Sequence, residues 1–181
     1  MNRGQHNTPE IEDVTKIVPD ALHGTDDESC KKIFKNNSFK HSPRHFSFLG
    51  NGVYFWEGSF LLARRWAIRK AKENNSFKYA IIKATINLGV CLDLNKPEHI
   101  ELVENVADKL QKKLNYPLND PVVINFINDN FINLDTVRAL NPKSKKPIFK
   151  GSRYINKTEP LICVKNNDKI LEYSICEKDN V

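Results

Sequence analysis

Three short stretches of the sequence place a chemically useful side chain beside an unusual backbone. His23 lies in "LHGT", Tyr54 follows a glycine turn in "GVYFWE", and Glu159 precedes the apolar run in "KTEPLICV". An imidazole exchanges protons near neutral pH, an aromatic ring stacks on flat ligands, and a carboxylate stabilises nearby positive charge. Each stretch alone also fits a turn, a core aromatic or an exposed strand end, so their meaning depends on how they combine.

The second stretch, "FLGNGVYFWEGS", is unusual because three aromatic residues directly follow a Gly-x-Gly turn. Glycine allows positive φ and close approach of the backbone. Side chains alternate between the two faces of a strand, so Tyr54, Phe55 and Trp56 cannot all enter the same core. At least one of these rings is therefore expected to line a cleft or to face water.

Hydrophobic periodicity predicts the elements that must position these residues. Helices are predicted in "DDESCKKIFKNNSF", "SFLLARRWAIRKAKENN", "KPEHIELVENVADKLQKKL" and "DPVVINFINDNFINL". Strands are predicted in "TKIVPDALHGT", interrupted by Pro19, after the glycine turn, in "KYAIIKATINLGVCLDL", broken at Gly89, and as a pair around a final Asn-Asn-Asp turn. Helices and strands mix without regular alternation, which favours an α+β fold.

Length and composition narrow the class of protein. The chain has 181 residues and a net charge of +6, so we expect one domain over residues 1–181, with 1–14 loosely ordered, and an anionic partner is permitted. The four cysteines lack zinc-like spacing, so no metal site is expected. The sequence contains neither a signal-peptide pattern nor a long apolar span, which favours a cytoplasmic protein without a membrane partner.

The order of the motifs, "LHGT … LGNGVYF … ARRWA … EPLIC", resembles the ADP-ribosyltransferase fold shared by the poly(ADP-ribose) polymerases and the diphtheria-type toxins. That family carries a His-Tyr-Glu triad on three strands, and His23, Tyr54 and Glu159 fall in matching contexts in the same order. The resemblance extends from Ala21 to Ile175. It implies split antiparallel β-sheets with flanking helices, and His23, Tyr54 and Glu159 as the catalytic residues.

The resemblance implies that the protein uses NAD as its substrate and needs no metal. Gly24, followed by Thr25, would let the backbone approach the nicotinamide carboxamide without an intervening side chain. Tyr54 would stack on the nicotinamide ring, while Phe55 would face the opposite way into the core. These assignments, with His23 and Trp66, give the expected NAD-binding residues.

Cleavage of the bond between nicotinamide and ribose passes through an oxocarbenium-like transition state. His23 would hydrogen-bond the hydroxyls of the adenine-side ribose. Glu159 would accept a hydrogen bond from the 2′-hydroxyl of the nicotinamide ribose, and its charge would stabilise the transition state more than the ground state. Pro160 departs from the polymerases, which place an aromatic or similar residue after the glutamate.

Three residues of the second predicted helix have two explanations each. Trp66 lies near the position of a second ring-stacking tyrosine in the polymerases, but it also fits a core residue at helical spacing. Arg64 and Arg65 could bind a pyrophosphate or form a solvated helix face. The sequence leaves these alternatives open.

The stretch "NPKSKKPIFKGSRYINKTE" is predicted to be a basic loop directly before Glu159. In the family, the corresponding loop meets the acceptor of ADP-ribose. Basic side chains interleaved with aromatic rings suit single-stranded nucleic acid. Lys145, Lys146, Phe149 and Arg153 are therefore the expected acceptor-binding residues, although a soluble loop has the same composition.

The expected function is mono-ADP-ribosylation of a macromolecule, with RNA or DNA slightly favoured over protein. Small bacterial transferases of toxin–antitoxin and phage-defence systems are similar in size, which implies a toxin and an antitoxin partner. The alternatives are an NAD glycohydrolase, a non-catalytic module that binds ADP-ribose or RNA, and an RNA 2′-phosphotransferase. The complete triad argues against the last two.

Overall fold

The computed structural model describes residues 11, 13–42, 48–114, 117–142, 150 and 158–181, with the backbone alone for residues 14, 141, 142, 158 and 159. The strands are β1 (Asp13–Asp26), β2 (Val53–Glu57), β3 (Lys78–Asp93), β4 (Thr136–Pro142), β5 (Thr158–Val164) and β6 (Ile170–Asn180). The helices are α1 (Asp27–Asn36), α2 (Phe60–Glu73), α3 (Pro97–Gln111) and α4 (Asp120–Asn130). A short 3₁₀ turn, Asn167–Lys169, joins β5 to β6.

The strands form one sheet in the order β1-β2-β5-β4-β3-β6, and a further pairing joins β1 to β3. The mixture of four helices with this sheet confirms the predicted α+β class. Among the described strands, β3 and β4 pair in parallel and the other pairs are antiparallel. The parallel pair fits the crossover made by α3 and α4, which returns the chain from Asp93 to the level of Cys91, where β4 begins at Thr136.

Strand β3 is continuous across Gly89, where the sequence predicted a break. It pairs with β1 on one side, and its other side changes from β6 to β4 near its end. Gly89 has a φ of +55°, a conformation that glycine adopts without strain. The glycine therefore adopts this φ without ending the strand.

Strand β1 is likewise longer than the sequence indicated. Its pairing with β3 shifts register between Val18 and Ala21, on either side of Pro19. Proline has no N–H to donate to a ladder and is accommodated at such irregularities. The strand therefore resumes after Pro19 and carries His23 in regular register with Ile82.

The two faces of the sheet carry separate hydrophobic clusters. Leu22, Trp56 and Ile81 belong to the cluster covered by α2, α3 and α4. Their sequence neighbours Phe55 and Ile82 belong to the other cluster, which α1 covers. This alternation follows from strand geometry and puts consecutive residues of β1 and β2 into different environments.

Helix α1 is capped by a side chain, and the cysteines in the described structure are free thiols. Asp26 caps α1 by accepting a hydrogen bond from the Ser29 N–H at 2.9 Å. Cys30, Cys91 and Cys163 are buried free thiols, and Cys176 on β6 is exposed. In the part of the chain that the structure describes, no helix has the length and apolar character needed to cross a membrane.

Candidate active site

The candidate site lies where β1 and β2 part. The pairing of β1 with β2 ends at Leu22 and Trp56. Beyond these residues, β1 follows β3 as far as Asp26, and β2 follows β5. Because each strand stays with its other neighbour, the two separate at His23 and Tyr54.

A side chain replaces the backbone ladder at this separation. His23 Nδ1 lies 2.9 Å from the carbonyl oxygen of Tyr54. A carbonyl can only accept, so Nδ1 carries the proton and Nε2 is left as an acceptor. The ring packs against Phe39 and Phe55, with centroid separations of 5.4 and 5.5 Å.

The environment of His23 keeps its imidazole neutral. The residue retains some exposed surface, but protein atoms enclose its ring. Burial lowers the pKa of His23, and the hydrogen bond to the Tyr54 carbonyl, which favours the protonated form, does not reverse this effect. The charge of Lys70 lowers the pKa further. The tautomer described above is therefore the form present at neutral pH.

Tyr54 faces the side of the sheet opposite to His23. Its hydroxyl donates to the Gly50 carbonyl at 2.6 Å and accepts from the Leu49 N–H at 2.8 Å. Phe55, the next residue, is fully buried among the second cluster, as strand alternation predicted. The hydroxyl thus closes the glycine turn onto β2 and leaves the ring to line a cavity.

The cavity beside Tyr54 is small and largely aromatic. Its volume is about 30 Å³, and it is lined by Ser42, Phe48, Tyr54, Trp56, Trp66, Lys70 and Leu161. A single buried water needs about 10–15 Å³, whereas ligand pockets span roughly 300–1,000 Å³. In this conformation the cavity therefore has room for about two waters but not for a nicotinamide ring.

Helix α2 contributes Trp66 and positive charge to the cavity. Arg69 and Lys70 lie over the Trp66 ring, 5.3 and 5.9 Å from its centroid, and both also contact Glu73. Arg64 instead donates to the Tyr79 hydroxyl at 2.8 Å, on a different part of the sheet. Trp66 thus reaches the cavity, whereas Arg64 contributes to a structural network.

Gly24 and Thr25 contact other parts of the fold. A Cβ at position 24 would lie 2.2 Å from the Ala63 carbonyl oxygen and 2.8 Å from the Ala67 nitrogen. Glycine is therefore required here for α2 to pack on β1. Thr25 is buried and pairs with Ala80 on β3, and neither residue is among the described lining of the cavity.

Glu159 lies on β5, and the structure describes its backbone. It pairs with Asn141 on β4. On β2, Tyr54 pairs with Cys163, four residues along β5 from Glu159. At about 3.3 Å per residue, the backbone of Glu159 lies roughly 13 Å along the strand from that level. Tyr54 and Trp66 thus share the cavity on one face of the sheet, His23 packs on the other face at the same separation, and Glu159 lies further along β5.

Comparison with known proteins gives a family relationship. No protein-family model matches the chain. Over 190 residues it is 31% identical to the uncharacterized protein MJ0359 of Methanocaldococcus jannaschii, and the match covers 86% of this chain and 87% of that protein. The chain belongs to the family of that archaeal protein. Because the relative is uncharacterized, this membership carries no activity with it.

A charged cluster that the sequence did not predict lies at the end of β2. Arg138 donates from Nε and Nη2 to Glu57 at 2.7 and 3.0 Å, and from Nη1 to Asp93 at 3.0 Å. The bonds to Glu57 raise the pKa of Arg138. Burial alone would raise the pKa of Asp93, but hydrogen bonds from Asn95 and Arg138 outweigh it and lower the pKa. The cluster joins β2, β3 and β4 on the level approaching Glu159.

The sequence also led to expectations for the acceptor-binding residues and for metal binding. Lys145, Lys146, Phe149 and Arg153, the expected acceptor-binding residues, lie outside the described residues. Within the described part of the chain, no group of three or more His, Cys, Asp or Glu side chains could hold a metal ion. The described site therefore consists of aromatic rings, one neutral imidazole and the basic face of α2.

Proposed function

We propose that the protein is an NAD-dependent mono-ADP-ribosyltransferase. The observation that best supports this is the hydrogen bond from His23 to the Tyr54 carbonyl at the separation of β1 and β2. This bond joins the two residues that the resemblance assigns to one site, although they are 31 positions apart in the sequence. The same proposal includes the finer fold assignment, a pair of split sheets with NAD bound at the split.

Each described residue has a role in holding the substrate. Tyr54 and Trp66 line the same cavity, so they contact the two faces of the nicotinamide ring. His23 lies on the other face, so an NAD molecule that reaches it must extend through the separation of β1 and β2. Because Nδ1 of His23 is used by the Tyr54 carbonyl, Nε2 is the atom that would accept a hydrogen bond from a ribose hydroxyl. These contacts fix the ring and the sugar before the bond between them breaks.

Glu159 supplies the electrostatic part of the mechanism. The bond between the nicotinamide nitrogen and ribose C1′ breaks, nicotinamide leaves with the electron pair, and positive charge develops on the ribose. The carboxylate stabilises that charge. An acceptor hydroxyl, amine or ring nitrogen then forms a bond to C1′ and releases its proton to water. With water as the acceptor, the product is free ADP-ribose.

The cavity must widen before a nicotinamide ring can enter. At about 30 Å³ it has room for about two waters. Phe48 is 52% exposed and Trp66 is partly exposed, so outward rotation of these rings disturbs little of the core. Both tryptophans of the chain, Trp56 and Trp66, line the cavity. Titration with NAD should therefore change the tryptophan emission of the protein.

The proposed acceptor is a nucleic acid, with RNA favoured over protein. The proposal rests on the sequence before Glu159, where Lys145, Lys146 and Arg153 flank Phe149, and on the net charge of +6. Phosphate contacts make binding steeply salt-dependent. Replacing Lys145 and Lys146 by alanine should lower RNA labelling and flatten its salt dependence, while NAD hydrolysis without an acceptor stays unchanged. Labelling confined to protein after nuclease treatment would exclude this acceptor.

The decisive experiment follows both halves of NAD. The purified protein is incubated with NAD labelled in its adenylate part, with total RNA, with lysate protein or alone, and nicotinamide release is measured. Label on a macromolecule identifies a transferase, and free ADP-ribose identifies a glycohydrolase. A change in tryptophan emission without nicotinamide release identifies a binding module. No release in any arm overturns the proposed enzyme.

A further inference from the structure

The Gly50–Asn51–Gly52 turn is held by side chains from two distant elements. The Asn51 N–H donates to Asn125 Oδ1 at 2.9 Å, and the Asn51 carbonyl accepts from Lys165 Nζ at 3.0 Å. Asn125 belongs to α4, and Lys165 follows the last residue of β5. The two side chains also contact each other at 3.4 Å. Together they hydrogen-bond both the N–H and the carbonyl of Asn51, in the middle of the turn.

The contact between the turn and these side chains is tight. A Cβ at Gly50 would lie 2.4 Å from Asn125 Oδ1 and 2.9 Å from Lys165 Nζ. Gly50 also has a φ of +82°, so glycine is needed there for both space and backbone conformation. The turn therefore cannot shift toward α4, and movement away from α4 breaks both hydrogen bonds.

Lys165 is an unusual residue for this position. It is largely enclosed, and burial lowers its pKa against the opposing effects of Cys163 and Asp129. Within the described residues it forms no ion pair, and its ammonium donates to Asn51 and Asn125. A buried cation without a carboxylate partner costs stability. Its hydrogen bonds to the Asn51 carbonyl in the turn and to Asn125 Oδ1 on α4 offset part of this cost.

The opposite side of the turn is bonded to Tyr54. The Tyr54 hydroxyl donates to the Gly50 carbonyl and accepts from the Leu49 N–H. Leu49 is preceded by Phe48, which lines the cavity together with Tyr54. Displacement of the turn therefore displaces two of the rings that form the cavity wall.

We propose that Asn125 and Lys165 are positioning residues that set the ring-binding cavity through the glycine turn and the Tyr54 hydroxyl. They touch no substrate and act on the distance between Tyr54, Phe48 and the facing Trp66. The inference rests on the proposed function in taking NAD as the ligand of that cavity. The hydrogen bonds that define it are independent of the ligand.

The first test compares two pairs of variants. Lys165→Met removes the donor to the turn, and Lys169→Met is the matched control, because Lys169 lies in the same connection but pairs with Asp135 at 3.1 Å. Asn125→Leu removes the acceptor for the Asn51 N–H, whereas Asn125→Asp retains it. Lys165→Met and Asn125→Leu should raise the KM for NAD about tenfold with kcat changed less than about threefold. Asn125→Asp and Lys169→Met should keep the wild-type KM.

The second test measures hydrogen exchange of the Leu49 and Asn51 amides, which needs no substrate. Both amides should exchange at least about tenfold faster in Lys165→Met and Asn125→Leu than in Lys169→Met, under conditions where every variant is fully folded. Unchanged exchange rates would show that Asn125 and Lys165 do not hold the glycine turn, whether or not the protein is active on NAD. Faster exchange with an unchanged KM would overturn the positioning role. If the wild type releases no nicotinamide, the proposed function alone is overturned. The exchange rates still decide whether Asn125 and Lys165 hold the glycine turn.

Discussion

At the scale of single residues, His23 and Tyr54 do more than their motifs indicate. The sequence suggested two side chains that face a ligand, but each is also bonded to the fold: His23 through Nδ1 and Tyr54 through its hydroxyl. Nε2 is the remaining acceptor of the His23 imidazole, and the Tyr54 ring lines the cavity. Variants at these positions must therefore separate stability from binding.

The His23 environment gives a pH dependence with a definite sign. Its folded pKa lies below the ordinary 6.5, so the unfolded chain binds this proton more readily. The free energy of unfolding should therefore fall as pH drops below about 6.5, until His23 is protonated in the folded state too. His23→Asn keeps a donor for the Tyr54 carbonyl but cannot titrate, so it should flatten this slope in urea unfolding between pH 7 and 5.

A residual slope is expected in His23→Asn, because burial also lowers the pKa values of His41 and His99. The comparison is therefore between two slopes, each measured on the same series of buffers. Identical slopes for the wild type and His23→Asn would show that His23 is not held neutral by the fold.

Glu159→Gln tests the electrostatic role of the carboxylate. The variant should bind NAD but lose transfer by about 100-fold or more, as expected for removal of one transition-state stabiliser. Nicotinamide release measures turnover, and tryptophan emission measures binding. Glu172→Gln on β6, an exposed position, is the matched control and should retain activity. Full turnover by Glu159→Gln would remove this residue from the mechanism.

At the scale of elements, the packing of α2 on β1 determines the position of Trp66 relative to the cavity. Gly24 lies against the backbone of Ala63 and Ala67, so the helix lies as close to the strand as a backbone permits. Trp66 is carried between these two alanines in sequence and reaches the cavity from that position. The "HGT" motif therefore has a structural reason for its glycine, separate from any ligand.

Gly24→Ala should push α2 away from the sheet. The added methyl group meets backbone atoms that cannot rotate aside, so the cost should be about 3 kcal/mol, the upper end of the range for overpacking. Gly58→Ala is the control, since a Cβ there meets nothing within 4 Å and only its φ of +64° is unfavourable, at about 1 kcal/mol. Urea unfolding measures both. An equal or smaller loss in Gly24→Ala would contradict the tight packing.

The four helices and five of the six strands could be predicted because each is a local pattern of apolar spacing. β4 was missed, since "TVRALNP" carries Arg138 between its apolar residues and ends in Asn-Pro, which is typical of a loop. The Arg138–Glu57 pair joins positions 81 residues apart, and Lys165 contacts a residue 114 positions away. Such contacts depend on strand order, which local patterns do not contain. The resemblance assigned His23 and Tyr54 to one site, but the hydrogen bond that joins them uses the Tyr54 carbonyl, which a side-chain motif does not predict.

At the scale of the whole molecule, the proposed function predicts toxicity. Transfer of ADP-ribose consumes NAD and alters essential macromolecules, so expression of the wild-type chain without a partner should arrest bacterial growth. Glu159→Gln, expressed at the same level, should permit normal growth. Growth curves and immunoblots measure both. Healthy growth with active enzyme would instead indicate a narrowly targeted transferase.

Because three of the four cysteines are buried, thiol reactivity can be used to follow unfolding of the whole chain. Cys176 is exposed, whereas Cys30, Cys91 and Cys163 are buried. Burial raises the pKa of Cys91 and of Cys163 to about 11, so their reactive thiolate form is scarce as well as shielded. A coloured disulfide reagent should therefore titrate one thiol at once and the remaining three at the rate of global opening. The rate of that second phase would measure the rate at which the folded chain opens, without a label attached to the protein.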